Sequence, residues 1–260
     1  MLAARRAEAT CAVEALRRLG PDLEPDQVLL TVDEVLMRCP EARHFLELRT
    51  ARLVTKQGSR YVSGIGATFL QRLHVAVLLC LGPLNSLLLI ADGARWIRRF
   101  FSDTLRTLAD KTMLLDWHHL QQKCLELASR ICRGKLAKAQ LLRRLNRRLW
   151  RGDVPGARAV LEGKRPQAKN EAKLDELMTY LQARQAWIPN YCERRIARQY
   201  IGSAHVENAN DLIGARRQKN CGMQWSEQTS DALAALRTLM LNGGREQYWQ
   251  QREVLPLLAS

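Results

Sequence analysis

Along the first 120 residues the apolar positions fall in short dense runs, and beyond them leucines recur every three to four residues. The two patterns predict strands and helices respectively. Residues 2–18 have an Ala/Arg-rich helical pattern that stops at Gly20-Pro21. Val28–Met37 (VLLTVDEVLM) predicts a strand buried on both faces, with Asp33 at its middle. Phe45–Thr55 alternates apolar and polar residues, and Gln57-Gly58-Ser59 predicts a hairpin turn into Arg60–Ser63. Thr68–Leu81 predicts a helix stopped by Gly82-Pro83. Ser86–Ala91 (SLLLIA) then halts at Asp92-Gly93, as a buried parallel strand would. A helix from about Ala94 precedes a strand, Thr112–Leu115, that runs into Asp116. From Leu120 to Tyr200 only helical spacing remains. Ser203 is placed to cap a helix carrying Glu207, and a last amphipathic helix, Ser230–Leu241, ends at Asn242-Gly243-Gly244. Strands interleaved with helices predict a mixed α/β sheet. The chain divides accordingly into an N-terminal helix and linker (1–26), a strand-rich part (27–119), a helical block (120–200), a closing part (201–242) and a tail (243–260).

Charge changes the picture most. The 41 Lys and Arg outnumber the 26 Asp and Glu, for a net charge of +15, and residues 120–200 alone carry 19 bases against 7 acids. Such an excess speaks of a polyanionic partner rather than of fold. Arg143, Arg144, Arg147 and Arg148 recur at helical spacing, as residues tracking a nucleic-acid backbone would, or as the solvated face of a helix packed by its leucines. Trp150, Trp187 and Trp225 suit either stacking on unpaired bases or a place in the core. The seven cysteines are odd in number and include no C-x-x-C pair, which predicts reduced thiols. The N-terminus lacks the apolar segment of a secretory signal. Val75–Ile90 is broken by Gly82, Pro83 and Asn85, so no membrane span is expected and the chain reads as cytoplasmic.

Three acids stand out. Asp33 interrupts an apolar strand, where a charge is costly without a partner or metal, unless it sits at a strand end facing water. Asp92 follows a strand at the carboxyl edge, where open α/β sheets bind ligands, although an Asp-Gly turn explains it as well. Glu207 lies among Asn208, Asn210, Arg216, Arg217 and Lys219, and as a helix N-terminal acid it also has a dipole explanation. Converging carboxylates repel unless divalent cations neutralise them. Mg²⁺ or Mn²⁺ suits such a set, and two ions would serve an in-line displacement at phosphorus.

The runs TVDEV, IADGARWI, LDWHH and YIGSAHVENANDLIGARRQKNCGMQW, in this order and spacing, resemble the catalytic blocks of bacterial insertion-sequence transposases of the DDE type. The resemblance extends from about Val28 to Asn242. It implies an RNase H-like mixed sheet with a helical insertion before the last catalytic helix, and metal-dependent cleavage and strand transfer at transposon ends. It makes Asp33, Asp92 and Glu207 the catalytic, metal-binding triad for two Mg²⁺ (or Mn²⁺) ions. Asp116 and His119 become a supporting Asp-x-x-His element, although His119 also suits a core histidine. The partners implied are transposon-end and target DNA, bound by the basic insertion and by Arg216, Arg217 and Lys219, in a homo-oligomer associated with the nucleoid. Ala204 stands where the family often has glycine. Only about 26 residues precede the first strand, fewer than in full-length relatives, which predicts a short or truncated copy. The alternative is a non-catalytic DNA-binding fragment that interferes with an intact copy. An RNase H-like repair nuclease would share the acids but not the Arg198–Trp225 block.

Overall fold

The computed structural model describes residues 23, 26–39, 44–82, 85–219 and 223–251. The expected helix over 2–18 and the end of the tail lie outside them. Five strands form one sheet: β1 (Gln27–Cys39), β2 (His44–Thr55), β3 (Gly58–Ile65), β4 (Ser86–Ala91) and β5 (Lys111–Leu115), in the order β3-β2-β1-β4-β5. β1, β2 and β3 pair antiparallel, whereas β4 and β5 run parallel to β1. β1 is central, which is why its sequence is apolar on both faces. The hairpin after β2 turns at Lys56-Gln57, one residue earlier than expected, and Gly58 opens β3.

Each face of the sheet is covered by helices. On one side α1 (Gly66–Cys80) and α2 (Arg95–Arg99), which runs on as a π-helical turn Phe100–Thr104, pack on Leu30, Val32, Leu53, Leu87, Leu89 and Met113. On the other lie α8 (Ala204–Asn210), a π-helical segment (Asp211–Lys219) and α9 (Glu227–Leu241). There Ile213 and Ala234 meet Val35, Met37 and Leu48. Gly214 permits this approach, because a Cβ at that position would stand 2.7 Å from Leu48 Cδ2 and 3.0 Å from Val35 Cγ1. Gln218 and Ser230, both fully buried, bond to each other at 2.6 Å and tie the π segment to α9. At the end of α9, Asn242 exchanges two hydrogen bonds with the Tyr61 backbone, which satisfies polar groups of the edge strand β3. α10 (Arg245–Gln251) follows.

Between β5 and α8 the chain forms α3 (Trp117–Ile131), α4 (Lys135–Leu149), α5 (Val154–Glu162), α6 (Glu171–Ala183) and α7 (Tyr191–Ile196). Leucines at 120, 127, 141, 145, 149, 161, 174, 177 and 181 build a core of their own. Tyr191 fastens this bundle to the sheet: its hydroxyl donates to the Leu115 carbonyl at 2.7 Å, and its ring stacks on Trp150. Trp150 and Trp187 are thus packing residues, since both lie against buried clusters. The five cysteines among the described residues are free thiols. No helix among the described residues is long and apolar enough to cross a membrane.

Candidate active site

The strand registers bring three acids into one row. β1 and β4 pair through Thr31↔Ile90, and β4 and β5 through Ala91↔Leu115. Carried one or two residues further, the same registers set Asp33 beside Asp92 and Asp92 beside Asp116. Neighbouring strands lie about 4.8 Å apart, and in-register residues share a face. The row therefore crosses the middle of β1 and the carboxyl ends of β4 and β5, on the side covered by α8. It flanks the β1–β4 boundary, from which the chain departs in opposite directions to the two halves of the sheet, the place where open α/β sheets form a binding crevice.

Asp33 is half-buried and each of its oxygens is held. Oδ1 accepts the Glu34 N–H at 2.8 Å and Oδ2 accepts Asn210 Nδ2 at 2.9 Å. The Asn210 carbonyl oxygen in turn accepts the Thr50 hydroxyl at 3.1 Å, and Thr50 is the β2 partner of Asp33. Asn210 is thereby the pin between α8 and the sheet. Position 207 lies three residues before it, on the same side of the helix. The backbone of Glu207 belongs to α8 and those of Arg216, Arg217 and Lys219 to the π segment, but these four side chains lie outside the described residues. Asp92 accepts the Ala94 N–H through Oδ1 at 2.8 Å, so the Asp-Gly turn is real and coexists with its place in the row.

Asp116 is fully buried, and it is where three elements meet. Its Oδ1 caps α3 by accepting the His119 N–H at 3.0 Å. Its Oδ2 accepts both the backbone N–H and the hydroxyl of Ser203, the latter at 2.5 Å. Burial pushes this carboxyl up, but the hydrogen bonds from His119 and Ser203 outweigh it and hold the group well below the usual carboxylate range. His119 Nδ1 stands 3.4 Å from Asp116 Oδ1, close enough for a charge contact but poorly aligned for a hydrogen bond. The Asp116 carboxylate beside the ring, helped by Asp92 and Asp33, raises the imidazole to about 9 against the cost of burial. At neutral pH His119 is an imidazolium facing the whole row.

The donor set suits a hard divalent cation. Asp33 and Asp92 offer carboxylate oxygens with lone pairs beyond those their hydrogen bonds use. Among the described residues no three His, Cys, Asp or Glu side chains are grouped as metal ligands.

The arginines expected on nucleic acid lie on the solvent side of α4, opposite Leu141, Leu145 and Leu149. Arg143, Arg144, Arg147 and Arg148, joined by Arg151, line a cleft of about 470 Å³. One acid, Asp153, enters it and pairs with Arg148 at 2.8 Å. The helix is thus both leucine-packed and a concentrated basic groove.

Two features escaped the sequence reading. Ser203 stands at the start of α8, where a cap was expected, but nothing suggested that its hydroxyl is given to Asp116, 87 residues away. Arg184, next to the last turn of α6, donates to the Gly93 carbonyl beside Asp92 at 3.3 Å. Nothing in the local pattern marked it.

No curated protein matches the chain. A family model described as an uncharacterised protein family, UPF0236, matches residues 81–253, which include Asp92, Asp116, His119 and Glu207 but leave Asp33 upstream. Since the match spans about two thirds of its length, the chain belongs to this family, UPF0236.

Proposed function

We propose that the protein is a DNA transposase of the DDE type, cleaving and joining DNA strands with Asp33, Asp92 and Glu207 as its metal-holding acids. The observation that carries this reading is the register of β1 on β4, which carried two residues beyond Thr31↔Ile90 sets Asp33 beside Asp92, with Asn210, one turn beyond Glu207, bonded to Asp33. A mixed sheet with one acid at the middle of β1 and two just past the ends of β4 and β5, and a helical block between Asp116 and Ser203, supports the RNase H-like interpretation of the fold.

When bound between these carboxylates, Mg²⁺ or Mn²⁺ would supply charge neutralisation and activation of an attacking oxygen at phosphorus. The chain's own contributions can be described separately. Asn210 and the Glu34 N–H fix the orientation of Asp33. Asp116 holds the entry to α8 through Ser203, so that the third acid is delivered by a braced helix rather than a loose loop. His119, kept charged by Asp116, offers a cation and a proton donor on the same edge. The arginine cleft provides phosphate contacts away from the row, which is what binding along a duplex requires.

The test is the Glu207→Gln variant assayed for Mg²⁺-dependent nicking of supercoiled plasmid, with duplex binding measured in parallel. Nicking should disappear while binding stays within about twofold. Nicking at the wild-type rate would refute the triad. Binding without nicking in the wild-type chain would favour a non-catalytic DNA-binding protein.

A further inference from the structure

β1 and β4 pair through their backbones only as far as Thr31↔Ile90, and β4 ends at Ala91. Asp33 and Asp92 lie just beyond that point, so the ladder does not itself fix the gap between their carboxylates. Among the described residues one hydrogen bond joins β1 past Thr31 to the chain past Ala91: Trp96 Nε1 donates to Glu34 Oε2 at 2.9 Å. Both of its ends are tied to an acid. The Glu34 N–H is the donor that holds Asp33 Oδ1 at 2.8 Å. Trp96 stands in α2 two residues after Ala94, whose N–H holds Asp92 Oδ1 at 2.8 Å. The indole is itself fixed. Its edge meets the Phe69 ring, with centroids 5.7 Å apart at 84°, and the guanidinium of Arg49, the β2 partner of Glu34, lies 4.5 Å over it. Arg49 is held in turn by Glu47 at 2.7 Å. Successive residues of a strand face opposite ways, so the Glu34 side chain lies on the α1 and α2 side and not in the carboxylate row.

We infer that Glu34 is a positioning residue of the candidate metal site: its backbone orients Asp33, and its carboxylate, through Trp96, holds the turn that carries Asp92. The pair thereby sets the separation of the two acids. The inference rests on the reading of Asp33 and Asp92 as metal-holding. Spacing matters there because Mg²⁺ demands near-octahedral oxygens at about 2.0–2.1 Å.

The experiment uses the full chain and the variants Glu34→Ala, Glu34→Gln, Trp96→Phe and the double Glu34→Ala/Trp96→Phe. Mn²⁺ binding is followed by the electron paramagnetic resonance of the free ion, beside metal-free thermal melting and plasmid nicking. Glu34→Ala and Trp96→Phe should each weaken Mn²⁺ binding by about tenfold, as loss of a partner behind a metal ligand does. The double variant should lose no more than either single one, because both remove the same bond. Glu34→Gln keeps a carbonyl oxygen for the indole N–H and should bind Mn²⁺ within about twofold of wild type. If Glu34→Ala does not melt cooperatively, Trp96→Phe, which keeps a ring against Phe69 and Arg49, carries the test. Unchanged Mn²⁺ affinity in a variant whose melting temperature falls, additive losses in the double variant, or a Glu34→Gln loss as large as that of Glu34→Ala would each overturn the assignment. Coupled loss of Mn²⁺ in a chain that does not nick DNA would leave the clamp standing and refute the transposase reading. Nicking by the wild type with Mn²⁺ affinity indifferent to both residues would refute the clamp alone, and a wild type that binds no Mn²⁺ would refute both.

Discussion

Replacing Asp116 by asparagine tests the brace that joins β5, α3 and α8. The carboxylate accepts from the His119 N–H, the Ser203 N–H and the Ser203 hydroxyl, and it faces the His119 ring. An asparagine has one acceptor oxygen. If that oxygen serves Ser203, its NH₂ points at the His119 N–H, and a buried donor is left unsatisfied at about 1–3 kcal/mol. The bonds to Ser203 also lose their charge assistance, about 1 kcal/mol in all. The rise of His119 from 6.5 to about 9 corresponds to roughly 3 kcal/mol at 1.36 kcal/mol per unit, but the ring is one-third exposed and solvent screening reduces this to about 1 kcal/mol. The expected loss is therefore about 3–5 kcal/mol, a large share of the stability of a typical domain. Equilibrium denaturation at pH 7 measures it. The pH dependence gives an independent check. Because the folded His119 value lies above its ordinary one, its stabilisation is complete below about pH 6.5 and is lost as pH rises through about 9. The Asp116 carboxyl, depressed in the fold, stabilises above its ordinary 3.8 and loses this only as acid takes pH down through its lowered value. The variant should thus lose the alkaline decline between about 6.5 and 9, and its His119 resonance should titrate closer to 6.5. A loss below about 0.5 kcal/mol, or a His119 that still titrates near 9, would refute the brace.

Two further outcomes follow from the same packing and charge. Gly214→Ala should destabilise the protein by about 1–3 kcal/mol, because the new methyl meets Leu48 and the stiff Val35 side chain in a filled core; a neutral effect in urea denaturation would mean the π segment can lift from the sheet. Changing Arg143, Arg144, Arg147 and Arg148 together to glutamine should weaken duplex binding irrespective of sequence and lower the slope of log K against log salt by about 3, with Arg148 contributing least because Asp153 already holds it. An unchanged slope would return α4 to a solvated surface.

Much of the sheet was legible in the chain. The dense run around Asp33 and the abrupt stop after SLLLIA placed β1 and β4 within one or two residues, because long apolar runs are needed where a strand is buried on both faces, as in the first half of β1 and in β4. The helix after Asp92 was expected from about Ala94 and begins at Arg95, but its π-helical end and the π-helical continuation of α8 were not legible, since both depend on what the backbone packs against. Gly214 shows why: only the nearness of Leu48 and Val35 makes its missing side chain matter. Trp150 and Trp187 were ambiguous for the same reason, an indole suiting a base or a core equally until its neighbours are known.

What the sequence determined by itself was the inventory: apolar runs of strand length, a basic helical block, and acids at 33, 92, 116 and 207 in a +15 chain. Only the tertiary structure decided which of them meet. Offsets of 59 and 24 residues become a single row of carboxylates solely because β4 pairs with β1 and β5 in those registers, and hydrogen-bond register is a property of two strands together. The bonds from Asn210 to Asp33, Ser203 to Asp116 and Arg184 to Gly93 each span 87 residues or more. No local pattern encodes them, because their energy exists only once the chain has brought both ends into one low-dielectric place.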